Sequence, residues 1–249
     1  MIKFTCQSPQ IRANKIAQGM QMLQREDNEY LKEFHIQVDP NMATLHAKVL
    51  PAPTISFHPS SKEPSMVAKD GVWNLREKMV AQGVTLRAWT VIVFGNEKEF
   101  PLDAVQRFIT SLVISFDGSG IVAHNRQPAI TYANWTGNIE KILVDNYLIT
   151  GETYQERPQL ILSILPHSAV SLYSQIKRVS DTVIGIPTQC ILGKNIFSAK
   201  RQYFINLCLK INVKLGGMNN YMERPELPFV YEESTMLFGA IVTVRFSFL

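Results

Sequence analysis

Leu160-Ile161-Leu162-Ser163-Ile164-Leu165, followed by Pro166-His167-Ser168-Ala169-Val170, is the stretch that decides the fold. Six residues, five of them apolar, stopped by a proline suit a strand covered on both faces, which is what a parallel sheet requires. The sequence then reads as a helix over Ser171–Val179, a strand over Gln189–Leu192 and a helix over Ser198–Lys214 closed by Gly216-Gly217. Working backwards, the same alternation places a buried strand over Leu86–Phe94 and an amphipathic helix over Asp103–Phe116. A short strand over Gly120–His124 and a second helix over Gly137–Leu148 complete it. Strands alternating with helices predict a mostly parallel sheet flanked by helices on both faces, a Rossmann-like α/β domain of about 130 residues.

The flanks read differently. Gln10–Gln24 carries Ile11, Ile16, Met20 and Leu23 at near-helical spacing, and Phe34–Val38 with Ala43–Val49 alternate like a short hairpin. Pro51, Pro53, Pro59 and Pro64 then break all periodicity, which puts a domain boundary near residues 70–85. After Gly217 a proline-containing linker leads to a strand pattern over Thr235–Val244.

The 249 residues are 46% hydrophobic and 18% charged, a composition that folds rather than one that stays disordered. Twenty-five Lys and Arg against 21 Asp and Glu give +4, too mild for a protein that coats nucleic acid in bulk, so any basic site must be local. Cys6, Cys190 and Cys208 have neither disulfide-framework nor zinc-site spacing and point to a reducing, cytoplasmic setting. No apolar run approaches the roughly 20 residues of a membrane span, and no signal peptide opens the chain. Asn134-Trp135-Thr136 is read as a chance sequon.

The charge is not evenly spread. Between Leu172 and Gly217 stand Lys177, Arg178, Lys194, Lys200, Arg201, Lys210 and Lys214 against a single acid, Asp181. Tyr173 and Lys177 are four residues apart on one helix, Lys210 and Lys214 four apart on another, so each pair shares a face. In parallel α/β folds anions sit beyond the carboxyl ends of strands, at helix N-termini, and that is where this charge is expected to gather. Solvated lysines on two ordinary helices explain the spacing equally well, and physics alone leaves both readings open.

The residues themselves settle on a family. Tyr173-Ser-Gln-Ile-Lys177-Arg178, Asp181-Thr-Val-Ile-Gly185, Thr188-Gln189-Cys190, Lys194-Asn195 and Asn206-Leu-Cys-Leu-Lys210-Ile-Asn-Val-Lys214-Leu-Gly-Gly217 resemble the MID domain of eukaryotic Argonaute proteins. Gly71-Val72-Trp73-Asn74-Leu75-Arg76 is similar to the linker before MID, and Leu237-Phe238-Gly239-Ala240 to the first PIWI strand. The resemblance implies a second linker segment over 1–78, a MID domain over 79–217 and a truncated start of PIWI, one strand, over 218–249.

The same resemblance implies a pocket for the 5′-monophosphate of a guide small RNA. Its phosphate-binding set maps onto Tyr173, Lys177, Gln189, Lys210 and Lys214, with the Tyr173 ring also stacking on the first base. Pro166, His167, Ser168, Ala169, Val170 and Ser171 form the loop that would read that base, with Asn195 near the first nucleotide. Lysines neutralise a terminal phosphate of about −1.5 to −2 charges without a metal or other cofactor. Stacking is worth about 1–3 kcal/mol and tolerates many bases. Where the family's first PIWI strand carries the first carboxylate of a two-metal cleavage site, this chain has Ile241, and the rest of PIWI does not follow. The resemblance therefore implies guide binding without slicing, with other silencing proteins as partners. An inactive piece of a slicer that needs a separate PIWI polypeptide, and a free-nucleotide-binding module, stand as alternatives. The apolar residues of Thr235–Leu249 imply self-association through an unpaired strand.

Other signals are ordinary. Phe116-Asp-Gly118-Ser-Gly120 follows a helix and precedes a strand, the reverse of a dinucleotide loop, and reads as a turn. His35, His46, His58, His124 and His167 lack ligand spacing, and only His167 is placed to face RNA. No nucleophile–base set stands in a recognisable context. Trp73, Trp89 and Trp135 read as packing residues.

Overall fold

The computed structural model describes residues 7–23, 28–39, 41–166, 170–223, 226–227, 230 and 232–239. It divides into two units, Met1–Pro51 and Ala52–Leu249.

In the first unit, helix α1 (Pro9–Leu23) falls where the apolar spacing predicts it. A single turn, α2 (Glu29–Glu33), follows, capped by the Asn28 side chain accepting from the Leu31 amide at 3.3 Å. The expected hairpin over Phe34–Val38 and Ala43–Val49 is absent among the described residues. Phe34 is 73% exposed and Val49 99%, so the alternating residues cover nothing, and an isolated two-stranded hairpin is marginal in water.

The second unit begins with two strands inside the proline-rich stretch that sequence periodicity passes over. Strands β1 (Thr54–Ser56) and β2 (Ser65–Val67) pair antiparallel, Ile55 opposite Met66. Ile55, Phe57 and Ala68 form a small core of their own beneath them. Lys78 is buried there with its ammonium 2.8 Å from Glu63 and 5.9 Å from the centre of the Phe57 ring. The chain then reverses at Asp70-Gly71, with φ of 52° and 71°, while Lys69 and Val72 exchange backbone hydrogen bonds of 3.1 and 2.9 Å. Positive φ at both central residues is the two-residue hairpin turn that Asp-Gly favours.

The predicted buried strand over Leu86–Phe94 is broken at Arg87-Ala88 into β3 (Thr85–Leu86) and β4 (Trp89–Phe94). Helix α3 (Leu102–Ser119) ends on Gly120 in the left-handed conformation, φ 79°, so the Gly118–Gly120 stretch is a helix stop and turn. Strand β5 (Val122–Ala123) pairs with β3 in parallel, and β6 (Ala129–Ala133), which sequence reading missed, lies beside β4. Helix α4 (Ile139–Tyr154), capped by Asn138, leads to β7 (Leu160–Leu165), found over the residues expected. Helix α5 (Val170–Val179) continues into a π-helical turn over Ser180–Ile184 that Gly185 ends at φ 65°. Strand β8 (Thr188–Leu192) follows. The expected helix over 198–214 is α7 (Arg201–Lys214), which starts three residues late because Lys200 is extended at φ −92°, ψ 162°; a separate turn that sequence reading missed, α6 (Lys194–Ser198), precedes it. Strand β9 (Tyr221–Met222) returns to the other edge of β1. Residues 234–239 carry no regular structure, so the first half of the expected Thr235–Val244 strand is not one, and 240–249, with its second half and Ile241, lie outside the described residues.

Strands β6-β4-β7-β8 form one wholly parallel sheet in that order. All six residues of β4 and of β7 are buried, the signature of central strands covered twice. Val91, Val93, Leu160, Leu162 and Ile164 face α3 and α7; Ile92, Phe94, Ile161 and Leu165 face α4 and α5. The chain moves from β4 to β6 past α3, then back across to β7 and β8 past α4 and α5. That reversal is the topology of a doubly wound sheet.

Candidate nucleic-acid interface

Strand β8 is the last strand of the sheet, so its outer edge presents backbone groups to side chains rather than to another strand. Two helices supply them. The Lys177 ammonium, from the last turn of α5, donates to the Thr188 carbonyl at 2.6 Å and to the Thr188 hydroxyl at 2.8 Å. The Lys214 ammonium, from the last turn of α7, donates to the same Thr188 carbonyl at 2.8 Å and to Gln189 Oε1 at 2.7 Å. Gln189 is buried and is fixed at its other end, Nε2 donating to the Cys190 carbonyl at 2.8 Å. Tyr173, one turn before Lys177, lies with its ring centre 5.8 Å from that ammonium and is 47% exposed, so the ring is both held and open to solvent.

Two ammoniums on one acceptor repel each other and share a partly dry space. Desolvation, and then the Lys177 charge, pull the Lys214 pKa down to about 8, with a smaller contribution from Lys210. Burial pushes the Cys190 thiol up, and the positive charges of Lys177 and Lys214 act against that shift. Lys210 points outward as an exposed side chain and contributes charge to the cluster rather than a hydrogen bond within it.

The cluster is not where the expected rule for α/β folds puts it. Gln189 pairs in register with Leu162, near the amino end of β7; Lys214 stands at the end of α7 and Lys177 in the last α-helical turn of α5, before its π-helical continuation. The helices run back along the sheet, so a residue seven positions into α5 returns to the amino ends of the strands. Attraction for an anion therefore comes from the ammonium charges and not from helix N-terminal amides; the dipole of α7 favours Lys214 itself.

Of the sequence-predicted residues, the structure brings together Tyr173, Lys177, Gln189 and Lys214, with Lys210 beside them. It does not add Asn195, which lies in α6 past the opposite end of β8 and donates from Nδ2 to the Tyr203 hydroxyl at 3.0 Å. In the base-reading loop Pro166 is half-buried, Val170 is 73% exposed and the Ser171 hydroxyl accepts from Gln175 Nε2 at 3.3 Å. His167, Ser168 and Ala169 lie outside the described residues. Sequence reading missed Thr188, whose carbonyl and hydroxyl anchor both lysines; its only sequence signal is its place directly before Gln189. Among the described residues no group of acidic, histidine and cysteine side chains is gathered to hold a metal, and no helix is long and apolar enough to cross a membrane.

A doubly wound parallel α/β domain with lysines gathered on its edge strand is thus preceded by a linker unit. The description "Argonaute linker 2 domain" matches residues 11–57, "Mid domain of argonaute" residues 67–148 and "Piwi domain" residues 160–245. The chain belongs to the Argonaute family. Protein argonaute 14 of Oryza sativa subsp. japonica is 35% identical over 244 residues, 98% of this chain and 22% of that protein. The chain thus spans under a quarter of the length of this relative. The crystal structure of Drosophila Piwi shares the fold over 90% of this chain and 31% of its own, at a TM-score of 0.61 and 19% identity. That of Kluyveromyces polysporus Argonaute with a guide RNA does so over 72% and 23%, at 0.54 and 22%. The seam between the Mid and Piwi matches crosses the sheet, since β4 and β6 lie in one and β7 and β8 in the other.

Proposed function

We propose that Tyr173, Lys177, Gln189, Lys210 and Lys214 receive the 5′-monophosphate of a guide small RNA. The observation that carries this is the convergence of the Lys177 and Lys214 ammoniums on one carbonyl, at 2.6 and 2.8 Å. Two positive charges held that close, with no carboxylate paired to either among the described residues, are offset by an anion of about −2, and a terminal phosphate supplies it. The exposed Tyr173 ring offers the stacking surface for the first base, and Pro166–Ser171 reads its edge. Relatives of the same family, one of them solved with a guide RNA, support the choice of ligand. The chain binds without cutting, because Ile241 stands where the family's first catalytic carboxylate is expected. Its setting is the cytosol, in line with the free thiols of Cys190 and Cys208. The apolar segment after Ser234 associates with a second copy where no other strand covers it.

The test is a pair of titrations at one salt concentration, with a 5′-phosphorylated RNA and the same RNA bearing a 5′-hydroxyl. The phosphate should strengthen binding by about 2–4 kcal/mol. Equal affinities would refute the assignment. In the same assay UMP, AMP, CMP and GMP should differ, and glycines in place of Pro166–Ser171 should level them while leaving the phosphate contribution in place.

A further inference from the structure

Thr188 does more in this site than occupy the first position of a strand. It is 1% exposed, and it accepts three of the four hydrogen bonds that the two lysine ammoniums make: two at its carbonyl, one at its hydroxyl. The carbonyl belongs to the edge strand's backbone and would be there with any residue. The hydroxyl would not. An ammonium has three N–H donors; Lys177 places two of them on Thr188, and Lys214 places one on Thr188 and one on Gln189, which leaves each lysine one donor for a ligand. A lysine is a point charge on a flexible stem, and with only the shared carbonyl Lys177 would have one hydrogen bond, besides the non-directional hold of the Tyr173 ring 5.8 Å away, against the repulsion of its like-charged neighbour. The second bond, to the hydroxyl, makes the hold on Lys177 two-pointed.

We infer that Thr188 is a positioning residue whose hydroxyl fixes Lys177 beside Lys214 and so sets the site's preference for a terminal phosphate. This rests on the function proposed above. It predicts that the ratio of affinities for 5′-phosphorylated and 5′-hydroxyl RNA depends on an oxygen at that position and on Lys177 together. Thr188→Val keeps the β-branched shape and the carbonyl, and should lower the ratio about tenfold while leaving 5′-hydroxyl binding and the melting temperature near those of the unaltered chain. Thr188→Ser should retain the ratio. In a Lys177→Met background Thr188→Val should have no further effect on it, a non-additivity that a merely structural role does not produce. Should the valine variant not fold, Thr188→Ala against Thr188→Ser makes the same comparison. If the unaltered chain discriminates and Thr188→Val discriminates equally, or if the loss is as large without Lys177 as with it, the inference is overturned while the phosphate site stands. If the unaltered chain binds both RNAs alike, the phosphate site itself is wrong, and this inference goes with it.

Discussion

Lys177 and Lys214, on different helices, donate to the same oxygen, the Thr188 carbonyl, at 2.6 and 2.8 Å. Among the described residues their hydrogen-bond acceptors are neutral, and the Lys214 pKa falls from 10.5 to about 8 through desolvation and the neighbouring charge. A site in this condition is strained towards an anion before any ligand arrives.

That strain gives a pH signature. Below about pH 8 Lys214 is protonated both folded and unfolded, and the cost of its charge is fully present. Between about 8 and 10.5 the unfolded chain holds the proton and the folded chain does not, so stability contributed by this residue rises with pH through that window. Urea unfolding at pH 7 and pH 9.5 should show an increment in the unaltered chain that Lys214→Met lacks. A bound phosphate dianion restores the proton, so affinity for 5′-phosphorylated RNA should fall as pH rises above 8. Calorimetry at pH 8 in buffers of different ionisation enthalpy should record proton uptake.

The lysines should also separate by mechanism. Lys177→Met and Lys214→Met remove ordered donors and are expected to weaken binding of 5′-phosphorylated RNA by about 10-fold to 100-fold, with 5′-hydroxyl RNA little affected. Lys210 is exposed and acts through its field, so Lys210→Met should matter most at low salt and fade as ionic strength rises. Lys210→Glu should abolish the phosphate preference, whereas Lys200→Glu, at the other end of α7, should hardly alter it. Fluorescence titrations at two salt concentrations distinguish these outcomes.

Two glycines should respond to alanine with opposite signs. A Cβ on Gly193, just after β8, would lie 2.3 Å from the Phe100 ring and 3.1 Å from the Leu165 carbonyl, and overpacking of that kind costs about 1–3 kcal/mol. On Gly118, inside α3, a Cβ meets nothing within 4 Å, and Gly118→Ala should stabilise by about 0.4–1 kcal/mol. Urea midpoints of the two variants check both.

Met236, Leu237 and Phe238 are 76%, 77% and 89% exposed, and the full chain is expected to self-associate in ultracentrifugation. The remedy is a chain ending at Ser234, which should sediment as a monomer and still prefer 5′-phosphate. Ending it at Asn220 should instead destabilise the protein: Tyr221 and Met222 pair with Ser56 and Ile55, and the Glu226 and Glu223 carboxylates accept from the Thr54 amide at 3.1 Å and the Ser56 hydroxyl at 3.3 Å.

Where an element's own residues carry its energy, the sequence spoke clearly. Strand β7 was legible to the residue because burial on both faces demands a nearly unbroken apolar run, here five of six residues with Ser163 the exception, and α3 because its apolar stripe repeats with the helix. Strand β6 escaped because Ala129–Ala133 is an edge strand, mostly half-exposed, with no strong pattern. Strands β1, β2 and β9 escaped because three residues or two are too few to show a period; they exist only because each finds its partner. The start of α7 at Arg201 rather than Ser198 likewise had no proline or glycine to announce it.

By itself the sequence determined the alternation of strands and helices, the excess of basic residues between Leu172 and Gly217, and a likeness to Argonaute MID domains dense enough to nominate Tyr173, Lys177, Gln189, Lys210 and Lys214. Those properties are local, written in side-chain types and their spacing. Only the tertiary structure decided that the cluster sits on the edge strand's amino end rather than beyond the carboxyl ends, that Asn195 turns to Tyr203, and that Thr188 is the common acceptor. Those depend on helices folding back along the sheet until their last turns meet the first residues of β8. Distance between residues far apart in the chain is set by packing, and spacing along one helix cannot report it.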